Sequence, residues 1–452
     1  MIVIAATPLV MTPRALAGPA VLKASLTQHG FDSVAIDLNV DVFTKINNHP
    51  HQDKFIDFFF RQIIHNEVIS DLASMIQHCV DRILKYNPTV IGLSLFSNEC
   101  CVFTAWLCAA LKDQMPECQI VLGGPGINNY TDYVEHVKKL GLIDDFIYGD
   151  GEISLVEYVK GNSSYPGINR FDWVPVPDLN VLPHPDYSDY DFYWYPEPSI
   201  PLVDSRGCVQ NCEFCDVIEF WKKFQYKTAD NIFNEMLSQI KRHNIHHFDL
   251  RSSISNGNLR EFKKLISMIE IYNKDKFRSE QISWEGSFIV RSGNGHPESL
   301  WASMSHTNAT LFLGIESVVP HVRNSMGKPF ANEDIDWHLE MGRKYNIKIV
   351  LLVITGYPTE TLEDYAFSKQ WFRDRRHYAG NPVIRVTLSI ASVLLGTQLY
   401  NRAQDYGLVN LERQTFWVNQ HLNISPEQRL QHHKEMQDIC MNECNFQLSD
   451  CL

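Results

Sequence analysis

Three cysteines fall within eight residues of the stretch DSRGCVQNCEFCD (204–216): Cys208, Cys212 and Cys215, spaced C-x3-C-x2-C. Thiolates are soft ligands that suit iron–sulfur clusters and zinc, and this spacing lets one loop wrap a single metal centre. Three cysteines on a four-iron cubane leave one iron without a protein ligand. An open coordination position marks reactivity, whereas structural metal sites are normally closed by four ligands. A zinc loop or three buried thiols are the alternatives. A second group, Cys440, Cys444 and Cys451, lies in DICMNECNFQLSDCL near the end of the chain. Cys440 and Cys444 would share one helix face, as i and i+4 pairs do. These three are either an auxiliary metal site, with His432 or His433 nearby, or free thiols on a buried helix face. Cys100, Cys101 and Cys108 lie on or before a helical stretch and read as core.

The elements that must position these residues follow from hydrophobic patterning. Residues 1–160 alternate β-rich runs with helical stretches: MIVIAAT (1–7), SVAIDLN (33–39), TVIGLSLF (89–96), CQIVLGGPG (118–126) and DDFIYGDGE (144–152) are strand-like. Between them, helices are expected before Gly30, over roughly 52–85, and around FTAWLCAALKDQM. Such alternation implies a parallel sheet covered on both faces. Residues 161–199 break the rhythm with prolines, aspartates and aromatics, and are expected to be a linker that packs on something. From 200 to 400 six further strand-like runs alternate with helices near 229–243, 258–273, 297–305, 333–345 and 361–376, which suggests a barrel or partial barrel of βα units. The cysteines follow its first strand. Residues 401–452 look helical. In the aromatic run YSDYDFYWYPEP (187–198), a hydrophobic wrap covering the barrel is favoured above a wall over the cofactor or substrate.

Composition bounds the rest. The chain has 452 residues, 44% apolar and 21% charged, which excludes wholesale disorder and suggests two to three domains. Forty Lys and Arg against 53 Asp and Glu leave a net charge of −13, which argues against a bulk nucleic-acid binder. No basic region precedes the apolar start, and no later run approaches 18 uncharged apolar residues, so no membrane span is expected and the protein reads as cytoplasmic. In a reducing compartment cysteines are more informative as metal ligands than as disulfides.

The cysteine motif resembles that of the radical S-adenosylmethionine (SAM) superfamily, C-x3-C-x-Φ-C, with Phe214 in the Φ position. IHHFDLRSS (245–253), WEGSFIVR (284–291), LFLGIESVVPHVRNSMGK (311–328) and VITGYPTETLED (353–364) resemble successive segments of that family in order. The resemblance implies a partial (β/α)6 TIM-type barrel, a [4Fe–4S] cluster on the three cysteines, and SAM chelated to the fourth iron. An electron from a donor such as flavodoxin or ferredoxin then cleaves SAM to a 5′-deoxyadenosyl radical. Phe214, Ser252, Arg291 and Glu316 are placed near SAM, whose carboxylate needs a cation and whose ribose needs a hydroxyl acceptor. The usual Gly-Gly-Glu text after the second strand is absent, and DLRSS stands there instead.

Residues 1–160 resemble the flavodoxin-like (Rossmann-like) cobalamin-binding domain of one large subfamily. Ser97, Asn98, Gly123, Gly124, Gly126, Gly151 and Glu152 are the expected cofactor contacts. There is no D-x-H-x-x-G motif, so the lower cobalt face is expected to lack a histidine ligand. The function so implied is a cobalamin-dependent radical SAM methyltransferase acting on an unactivated carbon of a small molecule or peptide. That chemistry needs no general base at the target carbon, and no catalytic His or Glu is named. The alternatives are radical rearrangement, cyclisation or oxidation, and, from another class, a non-catalytic iron–sulfur redox sensor.

Overall fold

A computed structural model of the chain describes residues 1–250, 253–292, 295–411 and 414–450. The chain divides into two units, 1–201 with 241–245, and 202–240 with 246–452.

The first unit is built on β1 (Ile2–Ala6), β2 (Ser33–Asp37), β3 (Val90–Ser94), β4 (Gln119–Gly123) and β5 (Asp145–Phe146), all parallel, in the order β2-β1-β3-β4-β5. This is the flavodoxin-like order, and it places the topological switch between β1 and β3. Every residue of β1 is buried because helices cover both faces. Side chains alternate across the strand: Val3 and Ala5 join a large apolar cluster with Phe55, Leu72, Ile76 and Leu107, while Ile2 and Ile4 join a smaller one with Leu26 and Leu155. Helix Ala17–Gln28 ends at His29, and Gly30 follows at φ +82°.

One expected element divides in two. Residues 52–85 form helices Gln52–Arg61 and Ile69–Leu84 rather than one helix, because Gln62 adopts a left-handed φ of 58° and ends the first. Ile63 and Ile64 are 46% and 48% exposed in the break.

Segment 161–199 wraps the first unit. Asp189 accepts from the Ala35 amide of edge strand β2 at 2.9 Å and from Lys23 Nζ at 2.6 Å. Tyr195 donates to Asp37 at 3.0 Å, and Tyr187 donates to the Pro201 carbonyl at 2.6 Å. A carboxylate on an exposed strand amide protects that edge from pairing with another chain. Tyr187, Tyr190, Phe192 and Tyr195 are buried, and the tyrosine hydroxyls bond within this unit rather than to the barrel that the run was expected to cover.

The second sheet has β6 (Ile200–Leu202) as an edge strand. A short antiparallel pair, β7 (Ser205–Arg206) and β8 (Gln225–Tyr226), follows and brackets the cysteine loop. Then come β9 (His247–Leu250), β10 (Ser283–Phe288), β11 (Ala309–Glu316), β12 (Lys348–Thr355) and β13 (Val383–Ile390), each from β10 on parallel to its predecessor. The helices between them are Ala229–His243, Leu259–Asn273, Glu298–Met304, Asn332–Lys344 and Leu362–Asp374, close to the expected spans. The sheet is open, ending at β6 on one side.

At its other end, among the described residues, the helix Pro426–Asp438 and shorter helical turns are accompanied by strands. β14 (Leu408–Val409) and β15 (Val418–Asn419) form an antiparallel pair, and β16 (Leu448–Asp450) joins the large sheet parallel to β13. A three-residue strand carries no periodic signal; it forms because β13 presents unpaired amides and carbonyls.

Candidate metal centre

The cysteine loop runs from β7 to β8. Cys212 is buried and Cys208 and Cys215 are partly so. The loop is held by its own backbone and by elements far along the chain. The Gln210 amide points at Cys208 Sγ (3.4 Å), and the Cys215 amide donates to the Cys212 carbonyl (3.1 Å). The Glu213 amide donates to the Met326 carbonyl (3.1 Å), and its carbonyl accepts from Leu399 N–H (2.8 Å). The Glu213 carboxylate pairs with Arg402 and accepts from Tyr406 at 2.7 Å. Gly327 adopts φ +80°, and a Cβ there would lie 2.9 Å from the Asn211 carbonyl oxygen. Only glycine lets the backbone after helix Pro320–Ser325 press so closely on the loop.

Burial pushes the Cys212 thiol up to about 11 and the Cys215 thiol to about 12, although the nearby Lys328 pulls Cys212 back. Metal binding must therefore displace protons from both. Lys328 is itself buried and donates to Glu316 (2.8 Å) and to the Gly314 carbonyl (3.0 Å). Burial opposes its charge, yet Glu316, with Cys212 and Cys208 behind it, keeps the ammonium above its ordinary range. Glu316 reaches this position through a register shift after Gly314 and a backbone φ of +56°. Among the described residues no three His, Cys, Asp or Glu side chains gather around the position of one ion. A cubane is larger than an ion, so its thiolates stand farther apart, and three soft thiols on one loop remain a donor set that fits it.

A cavity of about 400 Å³ opens beside this loop. Its wall includes Val209 and Gln210 between the first two cysteines, Gly257 after β9, Ile289 and Arg291 after β10, and Phe330 after the Met-Gly-Lys segment. It therefore lies at the carboxyl ends of parallel strands, where open α/β sheets and βα barrels bind ligands. Arg291 donates through Nη2 to the carbonyls of Asn256 (2.9 Å) and Gly257 (3.3 Å), and among the described residues its buried Nε has no partner. Burial lowers its pKa. Of the other residues expected near SAM, Phe214 packs edge-on to Tyr357 at 6.4 Å, and Glu316 is engaged by Lys328. Ser252 lies outside the described residues. Asn256 and Gly257, which sequence reasoning missed, carry no signal beyond an ordinary loop.

In the first unit, Ser97 and Asn98 follow β3, Gly123 ends β4 and Gly124 and Gly126 follow it, so the two loops are neighbours at the carboxyl end of the sheet. The Gly126 amide donates to the Leu95 carbonyl at 2.8 Å. Cβ atoms at Gly124 and Gly126 would meet Leu95 at 2.6 and 3.0 Å, so these two glycines let one loop pack on the other. Gly123 has more space, its nearest neighbour being the Ile147 carbonyl at 3.8 Å. Gly151 and Glu152 begin helix Gly151–Val159, where Gly151 faces Leu22 and Glu152 is buried. Phe96 stands 51% exposed at the end of β3.

Cys440 and Cys444 are buried, and burial raises both thiols. They do not share an α-helical face, since Ile439–Glu443 is a π-helical turn. His433 bonds Thr355 Oγ1 at 2.8 Å, and His432 stacks on Tyr365 at 3.6 Å. Cys451 lies outside the described residues.

Three thiols on one loop and a cavity beside them thus lie at the carboxyl ends of a parallel sheet. Residues 202–372 match the family described as the radical SAM superfamily. The cofactors of such a domain are a [4Fe–4S] cluster and SAM. An uncharacterized methyltransferase of Pyrococcus horikoshii is 22% identical over 84% of this chain and 80% of its own. The anaerobic magnesium-protoporphyrin IX monomethyl ester cyclase of Synechocystis is 20% identical over 82% of this chain and 73% of its own. Among solved structures, the radical SAM methyltransferase TsrM from Kitasatospora setae, with cobalamin and a [4Fe–4S] cluster bound, superimposes with a TM-score of 0.68. It covers 99% of this chain and 90% of its own at 13% identity.

Proposed function

We propose that this protein is a cobalamin-dependent radical SAM methyltransferase acting on an unactivated carbon of a small molecule or peptide. The observation that carries the proposal is the joining, in one chain, of a flavodoxin-order sheet to a three-cysteine radical SAM domain, a pairing shared along nearly its whole length with a cobalamin-binding methyltransferase. Cys208, Cys212 and Cys215 hold the cluster. Arg291 and Glu316, with Phe214 and Ser252, contact SAM. The loops bearing Ser97, Asn98, Gly123, Gly124 and Gly126, with Gly151 and Glu152, face cobalamin. The open backbone at Gly123 and the exposed Phe96 suit a broad apolar macrocycle. Bound there, cobalamin would carry the methyl group. The loops after β1, β3, β4 and β5 contain no histidine to ligate cobalt from below.

The protein's own part is to hold the reacting groups within reach and to exclude water. Arg291 would hold the SAM carboxylate, and the contacts around Cys212 would hold the cluster's three ligands in place. Reconstitution without oxygen with iron, sulfide and cobalamin, followed by SAM and dithionite, tests this. 5′-Deoxyadenosine together with methyl transfer from labelled SAM is expected. No 5′-deoxyadenosine would refute a radical enzyme. Formation of 5′-deoxyadenosine without bound cobalamin would instead favour cyclisation or oxidation, the second reading, which the likeness to the Synechocystis cyclase supports.

A further inference from the structure

Behind the Arg291 wall of the pocket lies a chain of hydrogen bonds among buried side chains. His338 Nδ1 lies 2.7 Å from the Asp334 carbonyl, one turn back on its own helix. His338 Nε2 lies 2.9 Å from His296 Nδ1, and His296 Nε2 lies 2.9 Å from Asn256 Nδ2. Asn256 grips the backbone just after β10 at both polar atoms: Oδ1 accepts from Ile289 N–H at 3.0 Å, and Nδ2 donates to the Ile289 carbonyl at 3.1 Å. The carbonyls of Asn256 and Gly257 then hold the guanidinium of Arg291. Asn256, His296 and His338 are each no more than 1% exposed.

The chain has only one self-consistent direction. A carbonyl only accepts, so His338 carries its proton on Nδ1 and, being neutral, accepts at Nε2. His296 must then donate from Nδ1 and accept at Nε2. Asn256 must present its NH2 to His296, which turns its oxygen to the Ile289 amide. We infer that His296 and His338 are positioning residues: as two neutral Nδ1–H imidazoles in series, they orient the Asn256 amide and so fix the end of β10 and Arg291 at the pocket. A proton added to either ring sets donor against donor and undoes the arrangement. Burial is the main cause holding His296 down to about 2 and His338 to about 4. His338, Arg291 and Lys263 reinforce it at His296, while Asp334 opposes it at His338; Phe288 and Trp301 supply the apolar surround.

The part of this inference that concerns SAM rests on the reading in the preceding section; the part that concerns the rings does not. With 15N-labelled histidine in the full chain, the signals lost in His296→Phe and His338→Phe should be those of two Nδ1–H rings. They should not titrate between about pH 5 and 8, the range in which free imidazole does. Asn256→Asp, nearly the same size but with no donor for His296, should move the His296 proton to Nε2. A role in filling space alone would not predict that move. His338→Phe keeps the volume, and it should bind SAM about tenfold more weakly with cluster iron content unchanged, the effect of one loosened hydrogen bond. An Nε2–H proton on either wild-type ring, titration within that range, or unaltered SAM affinity in His338→Phe would overturn the inference. If the wild type itself binds no SAM, the pocket's proposed ligand falls, and the ring tautomers still decide this inference.

Discussion

Lys328 and Glu316 are buried together beside Cys212, with side chains 7% and 12% exposed. Little water reaches either charge, so removing one leaves the other poorly compensated. Lys328→Met is expected to lower unfolding stability by roughly 3–5 kcal/mol. The double variant Lys328→Met with Glu316→Gln should lose much less than the sum of the singles. Denaturant titration of the four proteins measures that coupling; additivity would mean the pair is not a unit. At this scale the cysteine spacing was legible because all three ligands lie on one loop. The partners of Glu316 were not: Lys328 is 12 residues away and reaches it only through the turn that ends β11.

The turn between β12 and helix Leu362–Asp374 offers a second case at the scale of an element. Glu360 is buried, its carboxylate accepts from the Gly356 amide at 2.6 Å, and burial raises its pKa to about 8. The folded protein thus keeps a proton that the unfolded chain releases near 4.5. Stability contributed by this group is complete below the lower value and falls as pH rises, by up to about 1.4 kcal/mol per pH unit across the window. Glu360→Gln, which stays neutral, should gain on the wild type between pH 5 and about 8. A constant gap in urea midpoints over that range would contradict this. Gly327 belongs to the same scale. Gly327→Ala imposes a left-handed cost of about 1–2 kcal/mol and drives a methyl into the cysteine loop. Lower iron incorporation with an intact far-UV spectrum is expected; full incorporation would show that the loop tolerates displacement. Strand–helix alternation was readable because burial on both faces demands long apolar runs. The break at Gln62 and strand β16 were not, since one left-handed residue or three extended ones leave no periodicity.

For the whole molecule, the proposed function requires the first unit to bind cobalamin in its folded state alone. At one hundred times its dissociation constant, such a ligand adds about 2.7 kcal/mol to the unfolding free energy. Cobalamin should therefore raise the thermal midpoint of the protein, and Gly123→Val, which fills the open place after β4, should abolish the shift while leaving the unliganded midpoint within a few degrees. No shift in the wild type would count against cobalamin binding. The amino-acid sequence alone determined the three-thiol loop, the family it resembles, and the succession of strands and helices. The first and the last rest on local facts: three thiols within one loop's reach, and apolar runs whose period the backbone dictates. Only the tertiary structure decided what surrounds the chemistry: Gly327 pressed on the cysteine loop, Lys328 folded back on Glu316, and His296 and His338 joined in series behind Arg291. Those contacts join residues from separate loops and helices, and a hydrogen bond between side chains 42 positions apart has no signature until the chain closes around it.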